Sequence, residues 1–283
     1  MNVLDLFSGI GGFSLGLERA GMRTVAFCEI EPYARAVLRK HWPNVPCYDD
    51  VRTLTADRLN ADGIVPDVIC GGFPCQDISV AGDGLGITGP RSGLWSEYAR
   101  IVGEIRPRFV IVENVAALVN RGLERVLGDL AALGYDAEWH CIPAGAIGAP
   151  HERDRIWIVA YPDMRQCQRQ DEQIRAGRDA ACSSGKAVAN TYGQRRHKME
   201  QSKSGGQVGQ GPISTALYAS FAGRRHGWEA EPNVGRVADG VPNRVDRLRA
   251  LGNAVVPQIP EIIGRAIMNH LSSSDRKGAA PTP

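Results

Sequence analysis

The strongest constraint on the fold is a repeated alternation of short apolar runs with helix-patterned stretches. VLDLF (3–7) leads into the turn glycines of SGIGG, and FSLGLERAG then places Phe13, Leu15 and Leu17 before Gly21, which reads as strand, tight turn, helix. TVAFCEI (24–30) is a second strand, and PYARAVLRKHW follows with Pro32 at a first helical position and Ala34, Val37, Leu38 and His41 on one face. Further strands are expected in PDVICGG (66–72), RFVIVENV (108–115) and DRIWIVAY (154–161), with helices over 92–106, over 120–133 closed by Gly134, and from about 258 to 271. Strands alternating with helices imply an α/β fold with a mostly parallel sheet covered on both faces.

The texture changes after Tyr161. Residues 162–235 are rich in Arg, Gln, Gly and Ser with little periodicity, as in CSSGKAVANTYGQRRHKMEQSKSGGQVGQG, and read as a loop-dominated insertion or a small irregular domain. SSGKA is not a phosphate loop, because Ala180 replaces the required first glycine and Ala187 stands where a magnesium-binding hydroxyl would be. Pattern returns at 236–271, and residues 272–283 read as a disordered tail.

Charge follows the same division. Residues 1–160 hold 15 Lys and Arg against 20 Asp and Glu, whereas 161–283 hold 18 against 11, so the net charge of +2 conceals a basic second part suited to a polyanion. Apolar residues make up 43% of the 283, and no apolar run approaches membrane-spanning length. MNVLDLF enters a strand directly, with no secretory pattern. A soluble, intracellular, cytoplasmic protein is therefore expected. Seven cysteines, at 28, 47, 70, 75, 141, 167 and 182, form no CxxC pair or zinc-like cluster, so reduced thiols and no metal are expected.

In an open α/β sheet, ligands sit at the carboxyl ends of strands. Gly9, Gly11 and Gly12 would let a ligand approach the backbone at a helix start, and Glu29, twenty residues past Gly9, could accept both hydroxyls of a ribose. An adenosine-containing cofactor follows, with NAD and S-adenosylmethionine both open. What separates them is GGFPCQ (71–76), where Cys75 follows Pro74 at a strand end rather than sitting inside a strand as Cys70 does. Glu113 ends the apolar strand RFVIVE, where poor solvation raises a carboxyl's pKa and lets it hold a proton. Arg153 and Arg155 point the same way if RDR is extended. A thiol, a protonated carboxyl, arginines and an adenosine pocket suit conjugate addition to a pyrimidine followed by alkylation.

DLFSGIGGFSLGLE, GGFPCQDISVAG, ENV, ERDRIWIV and GNAVVP occur in the order and near the spacing of the sequence blocks of the DNA (cytosine-5)-methyltransferases, which this chain resembles over residues 3–160 and about 236–271. The resemblance implies a Rossmann-like, S-adenosylmethionine-dependent methyltransferase domain at 1–161, a short target-recognition region at 162–235, and a C-terminal segment returning at 236–271. S-adenosylmethionine would be bound by Phe7, Gly9, Ile10, Gly11, Gly12, Glu29, Ile30, Asp50, Val51, Pro74, Leu94, Asn253 and Ala254. In that pocket Phe7 would meet adenine, Glu29 the ribose, and Asp50 with Val51 the adenine edge. Cys75 would add to C6 of a flipped cytosine while Glu113 holds N3 and the exocyclic amine. Arg155 would hold O2, and Arg153 would support the thiol and phosphate.

Double-stranded DNA is the implied partner, a restriction endonuclease acting on the same site could accompany the enzyme, and a monomer in a bacterial or phage-infected cell is expected. Residues 79–93, with five glycines, would form a loop closing over DNA. Arg195, Arg196, Arg224 and Arg225 are candidates for phosphate contact. His151 stands where the family usually has Gln, and Ile30 where an aromatic residue often packs on adenosine. A tRNA-modifying relative shares the catalytic set, but its CFT signature is absent. A non-catalytic DNA-binding relative would not need Cys75, Glu113 and Arg155 together.

Overall fold

Strand β1 (Asn2–Leu6) lies in the interior of a seven-stranded sheet of order β3-β2-β1-β4-β5-β7-β6. The computed structural model describes residues 1–74, 94–149, 151–162 and 244–278. β2 is Arg23–Cys28, β3 Cys47–Tyr48, β4 Val68–Gly71, β5 Phe109–Val115, β6 Tyr135–Pro143 and β7 Asp154–Pro162. β1 to β5 pair in parallel, whereas β7 runs antiparallel to both β5 and β6. The expected mostly parallel sheet is therefore present, with one reversed strand near an edge. Strand order reverses between β1 and β4, which opens a crevice beyond their carboxyl ends.

Helices cover both faces, which explains why the central strands are apolar at successive positions rather than alternating. On one face Leu4, Leu6, Ile69, Val110 and Val112 pack against α3 (Ala56–Ala61), α4 (Leu94–Ile105), α5 (Leu118–Arg121) and α6 (Leu123–Ala132). On the other, Val3, Val68, Ile111 and Trp157 meet α1 (Gly12–Arg19) and the C-terminal helix. Helix α2 (Pro32–His41) begins at its proline as expected. It buries Ala34 and Leu38, but Val37 is only partly buried and His41 is exposed. The helix ends there, and Trp42 instead turns its indole onto Phe27, with ring centroids 5.3 Å apart. Leu15 also lies outside the core, at 37% exposure.

The C-terminal segment forms α7 (Arg244–Asn253) and α8 (Gln258–Gly278). Helix α8 runs into the stretch expected to be a disordered tail, because its apolar face, with Ile259, Ile262, Ile263 and Ile267 all buried, anchors it to the sheet. Fully burying each such isoleucine contributes about 1.5–3 kcal/mol. Close approach to α1 needs small residues: a Cβ on Gly16 would collide with the Pro257 carbonyl oxygen, and one on Gly12 would lie 2.5 Å from that of Val255. The expected helix over 120–133 is divided at Gly122 into α5 and α6, and Gly134, at φ 79°, closes the second as expected. Strands β3 and β6 and helices α3 and α7 had no clear sequence signal.

Candidate active site

The loop after β1 has three left-handed residues in five: Phe7 at φ 53°, Gly9 at φ 54° and Gly11 at φ 87°. The glycines adopt this freely, whereas Phe7 does so at a cost of roughly 1–2 kcal/mol. Ser8 stabilises the bend, its hydroxyl donating to Asp5 O at 2.6 Å and its amide to Cys28 O at 3.2 Å. The carboxyl end of β2 is thereby tied to the loop. Ile10 is partly buried within the loop, and Gly12 opens α1.

Glu29 is 7% exposed. Its Oε2 accepts the Gly9 amide and its Oε1 the Glu31 amide, each at 2.7 Å. Two backbone donors thus orient a carboxylate whose two oxygens have about four lone-pair directions, leaving acceptor capacity for a diol. Beside it Ile30 is 57% exposed and presents an apolar side chain at the crevice. This donor and acceptor set fits an adenosine group.

Phe7 is backed by α4. Its ring stacks with Tyr98 at 6.4 Å and 13°, and Tyr98 stacks with Trp95 at 5.5 Å. Leu94 heads the same helix, partly buried. Val51 is 5% exposed, and Asp50 beside it is held by Arg52, whose Nη2 lies 2.7 Å from Oδ2. That pair holds the Asp50 carboxyl below its ordinary pKa.

Pro74 follows β4, partly buried, and Cys75 itself lies outside the described residues, as do residues 76–93 and 163–243 with their expected DNA-facing loop and arginines. The approach to the thiol is nonetheless defined. Asn114 is 2% exposed and its Nδ2 donates to Phe73 O at 3.1 Å, fastening the segment after β4 to β5. A Cβ on Gly72 would lie 2.6 Å from Glu113 Oε2, so the glycine leaves the space that the carboxyl occupies.

Glu113 is followed by two further strand residues rather than ending β5. Arg155 on the neighbouring β7 places Nε 3.0 Å from Glu113 Oε1, and Arg155 Nη1 donates to Asp154 O at 2.8 Å. Burial pushes the Glu113 carboxyl above its ordinary pKa, while Arg155 and then Arg153 pull the other way. Helix α5, which follows β5, has no side-chain cap.

Arg153 departs from the extended geometry expected of RDR. Its φ is 41°, which breaks the alternation and directs its guanidinium to the C-terminal segment. Nη1 donates to Gly252 O at 2.7 Å and Nη2 to Ala254 O at 2.8 Å. Asn253 and Ala254 are thereby held where Val255 abuts Gly12 of the glycine loop. Tyr98, Trp95 and Asn114 were not singled out from sequence; the only signal was aromatic spacing of three on α4 and the polar residue after Glu113.

Residues 1–210 match the family model for C-5 cytosine-specific DNA methylase. The chain belongs to this family. Among its relatives, the type II methyltransferase M2.BsuMI of Bacillus subtilis (strain 168) is 37% identical over 170 residues, covering 56% of this chain and 42% of its own length. M.Eco47II of Escherichia coli is 38% identical over 168 residues, covering 56% and 39%. The chain thus spans less than half the length of these curated relatives. A crystal structure of a prophage-encoded DNA modification methyltransferase (E. coli) aligns at TM-score 0.50 and 29% identity, over 57% of this chain and 47% of that one. The Entamoeba histolytica methyltransferase EhMeth shares the fold over 96% of this chain and 98% of its own, at TM-score 0.60 and 14% identity.

Proposed function

We propose that the chain transfers a methyl group from S-adenosylmethionine to C5 of a cytosine flipped out of double-stranded DNA, through a covalent bond between Cys75 and C6. The observation that carries this reading is the half-buried Glu113–Arg155 pair at 3.0 Å beside Gly72, in the segment that leads into Cys75. A carboxyl with a raised pKa can keep a proton to share with N3 of the ring. Protonation there draws electrons from C6, and the Arg155 guanidinium suits O2. The thiolate of Cys75 would add at C6, C5 would then form the bond to the methyl group as N3 returns its proton to Glu113, and loss of the C5 proton to solvent would restore the C5–C6 double bond and expel the thiolate.

S-adenosylmethionine supplies an electrophilic methyl group when bound. Glu29 would hold its ribose, Phe7 and Ile30 would flank adenine, and Gly9, Ile10, Gly11 and Gly12 would admit it to the backbone. Asp50, Val51, Pro74, Leu94, Asn253 and Ala254 would complete the pocket. Flipping the base costs roughly a few kcal/mol, offset by pocket and backbone contacts.

Residues 1–161 form the catalytic part in this reading, 162–235 select the target, and 236–271 return to close the pocket. The enzyme works as a monomer on cytoplasmic DNA, with or without an endonuclease of the same specificity. Among the described residues no helix is long and apolar enough to cross a membrane.

The test is incubation of the protein with DNA and tritiated S-adenosylmethionine. Label in DNA, and a covalent complex with DNA containing 5-fluorocytosine that a Cys75→Ser variant does not form, are the expected results. Label in tRNA instead of DNA would overturn the DNA reading.

A further inference from the structure

The loop from Asp50 to Thr55 has no strand or helix of its own, yet two of its carbonyls converge on one side chain far away in sequence. Arg100, on α4, donates from Nη2 to Val51 O at 3.0 Å and to Leu54 O at 2.9 Å. Its Nε lies 2.8 Å from Glu97 Oε2 and its Nη1 2.6 Å from Glu104 Oε1. Glu104 in turn accepts the Ala56 amide at 3.0 Å. All three nitrogens of the guanidinium are therefore engaged, two by carboxylates that fix its plane and one by the loop.

The other side of the loop is closed locally. Asp50 O accepts the Thr53 amide at 3.1 Å and the Thr53 hydroxyl at 3.0 Å, and the Leu54 amide donates to Val51 O at 3.3 Å. With the Asp50 and Val51 carbonyls both held, the peptide planes on either side of Val51 have little freedom. Helix α4 also carries Tyr98, on which Phe7 stacks. One helix thus supports both the ring that faces the crevice and the loop beside it.

We propose that Arg100 is a positioning residue for adenine recognition: it shapes the Asp50–Leu54 loop so that its backbone meets the edge of the adenine ring. This rests on the reading that the crevice holds S-adenosylmethionine. A lysine cannot replace the arginine, since a point charge cannot bridge two carbonyls and two carboxylates in one plane. Removing the guanidinium frees the loop while leaving Glu29 and the glycine loop untouched, so base selectivity should fall more than overall affinity for the ribose and amino-acid parts.

The experiment uses the full chain and two probes, S-adenosylhomocysteine and S-inosylhomocysteine, which differ at the purine 6-position. Calorimetry on the wild type, Arg100→Lys and Arg100→Gln should show roughly tenfold or greater weakening for the adenosyl probe in the Gln variant. The inosyl probe should lose much less, so that discrimination collapses. In the same variants without ligand, hydrogen exchange at Thr53, Leu54 and Ala56 should accelerate while the amides of β1 and β4 stay protected. Equal weakening for both probes would show a merely structural residue and overturn the proposal, as would unchanged exchange in the loop. A wild type that binds neither probe would overturn the cofactor reading instead, and the exchange data would still decide whether Arg100 shapes the loop.

Discussion

Glu113 and Arg155 form an ion pair across the antiparallel β5–β7 seam, with Nε and Oε1 3.0 Å apart and side-chain exposures of 13% and 23%. The pair exists because β7 reverses direction next to β5: Val115 stands opposite Arg155 and Glu113 opposite Trp157, which brings Arg155 diagonally to the carboxyl. Charge separation in such a site is costly, so the carboxyl's proton and the guanidinium compete to neutralise it. Arg155 thus keeps the Glu113 carboxyl oriented across the seam.

Glu113→Gln keeps the shape but removes the exchangeable carboxyl proton. Loss of roughly 10²–10⁴-fold in kcat is expected, with cofactor affinity nearly unchanged. Methyl-transfer kinetics with separate titration of S-adenosylhomocysteine check this. A proportional loss of cofactor binding would point to collapse of the site.

Asn114→Ala leaves Phe73 O without its side-chain donor and loosens the segment before Cys75. A buried carbonyl deprived of a partner costs about 1–3 kcal/mol. The rate of covalent trapping by 5-fluorocytosine DNA should drop more than the melting temperature suggests. Trapping at the wild-type rate would mean that this segment is held by other contacts.

Gly16→Ala and Gly128→Ala should have opposite effects. The first places a methyl against the Pro257 carbonyl and separates α1 from α8, whereas the second meets nothing within 4 Å on α6. At Gly128 alanine should stabilise by about 0.5–1 kcal/mol through helix propensity, and at Gly16 it should lower stability by more than that. Denaturant midpoints of the two variants provide the comparison.

Asp5, fully buried beneath the glycine loop, has its carboxyl pushed up to about 8, chiefly by burial, with the Ser14 hydroxyl at 2.7 Å opposing. In the unfolded chain the same group ionises near pH 4, at about 3.9. Between these values the unfolded state has lost the proton that the folded state keeps, so stability falls as pH rises, by up to about 1.4 kcal/mol per unit from this group, and levels off above about 8. Asp5→Asn should remove this part of the slope. Unfolding free energies at pH 6 and pH 8 should therefore differ less in the variant than in the wild type; equal differences would contradict the assignment.

Much of this protein was readable along the chain. Apolar runs ending in SGIGG, CEI, GGFPC and ENV marked the central strands and the loops at their carboxyl ends, because strands buried on both faces need unbroken apolar stretches and turns need glycine or proline. Glu29 and Glu113 stood out as carboxylates at the ends of such runs. The edge was harder to read: β6, YDAEWHCIP, is interspersed with polar residues because half of an edge strand faces away from the core, and β3 is only two residues long.

The sequence by itself determined the α/β class, the loop chemistry and the set of candidate groups, since these follow from local patterning and residue type. Only the tertiary structure decided which groups meet. Arg153 turns to Gly252 and Ala254 because its backbone is left-handed, and Arg155 reaches Glu113 because β7 runs backwards. Arg100 joins α4 to a loop more than forty residues earlier. Those pairings depend on strand direction, helix packing and a single φ angle, and none of these is carried by the spacing of residues along one segment.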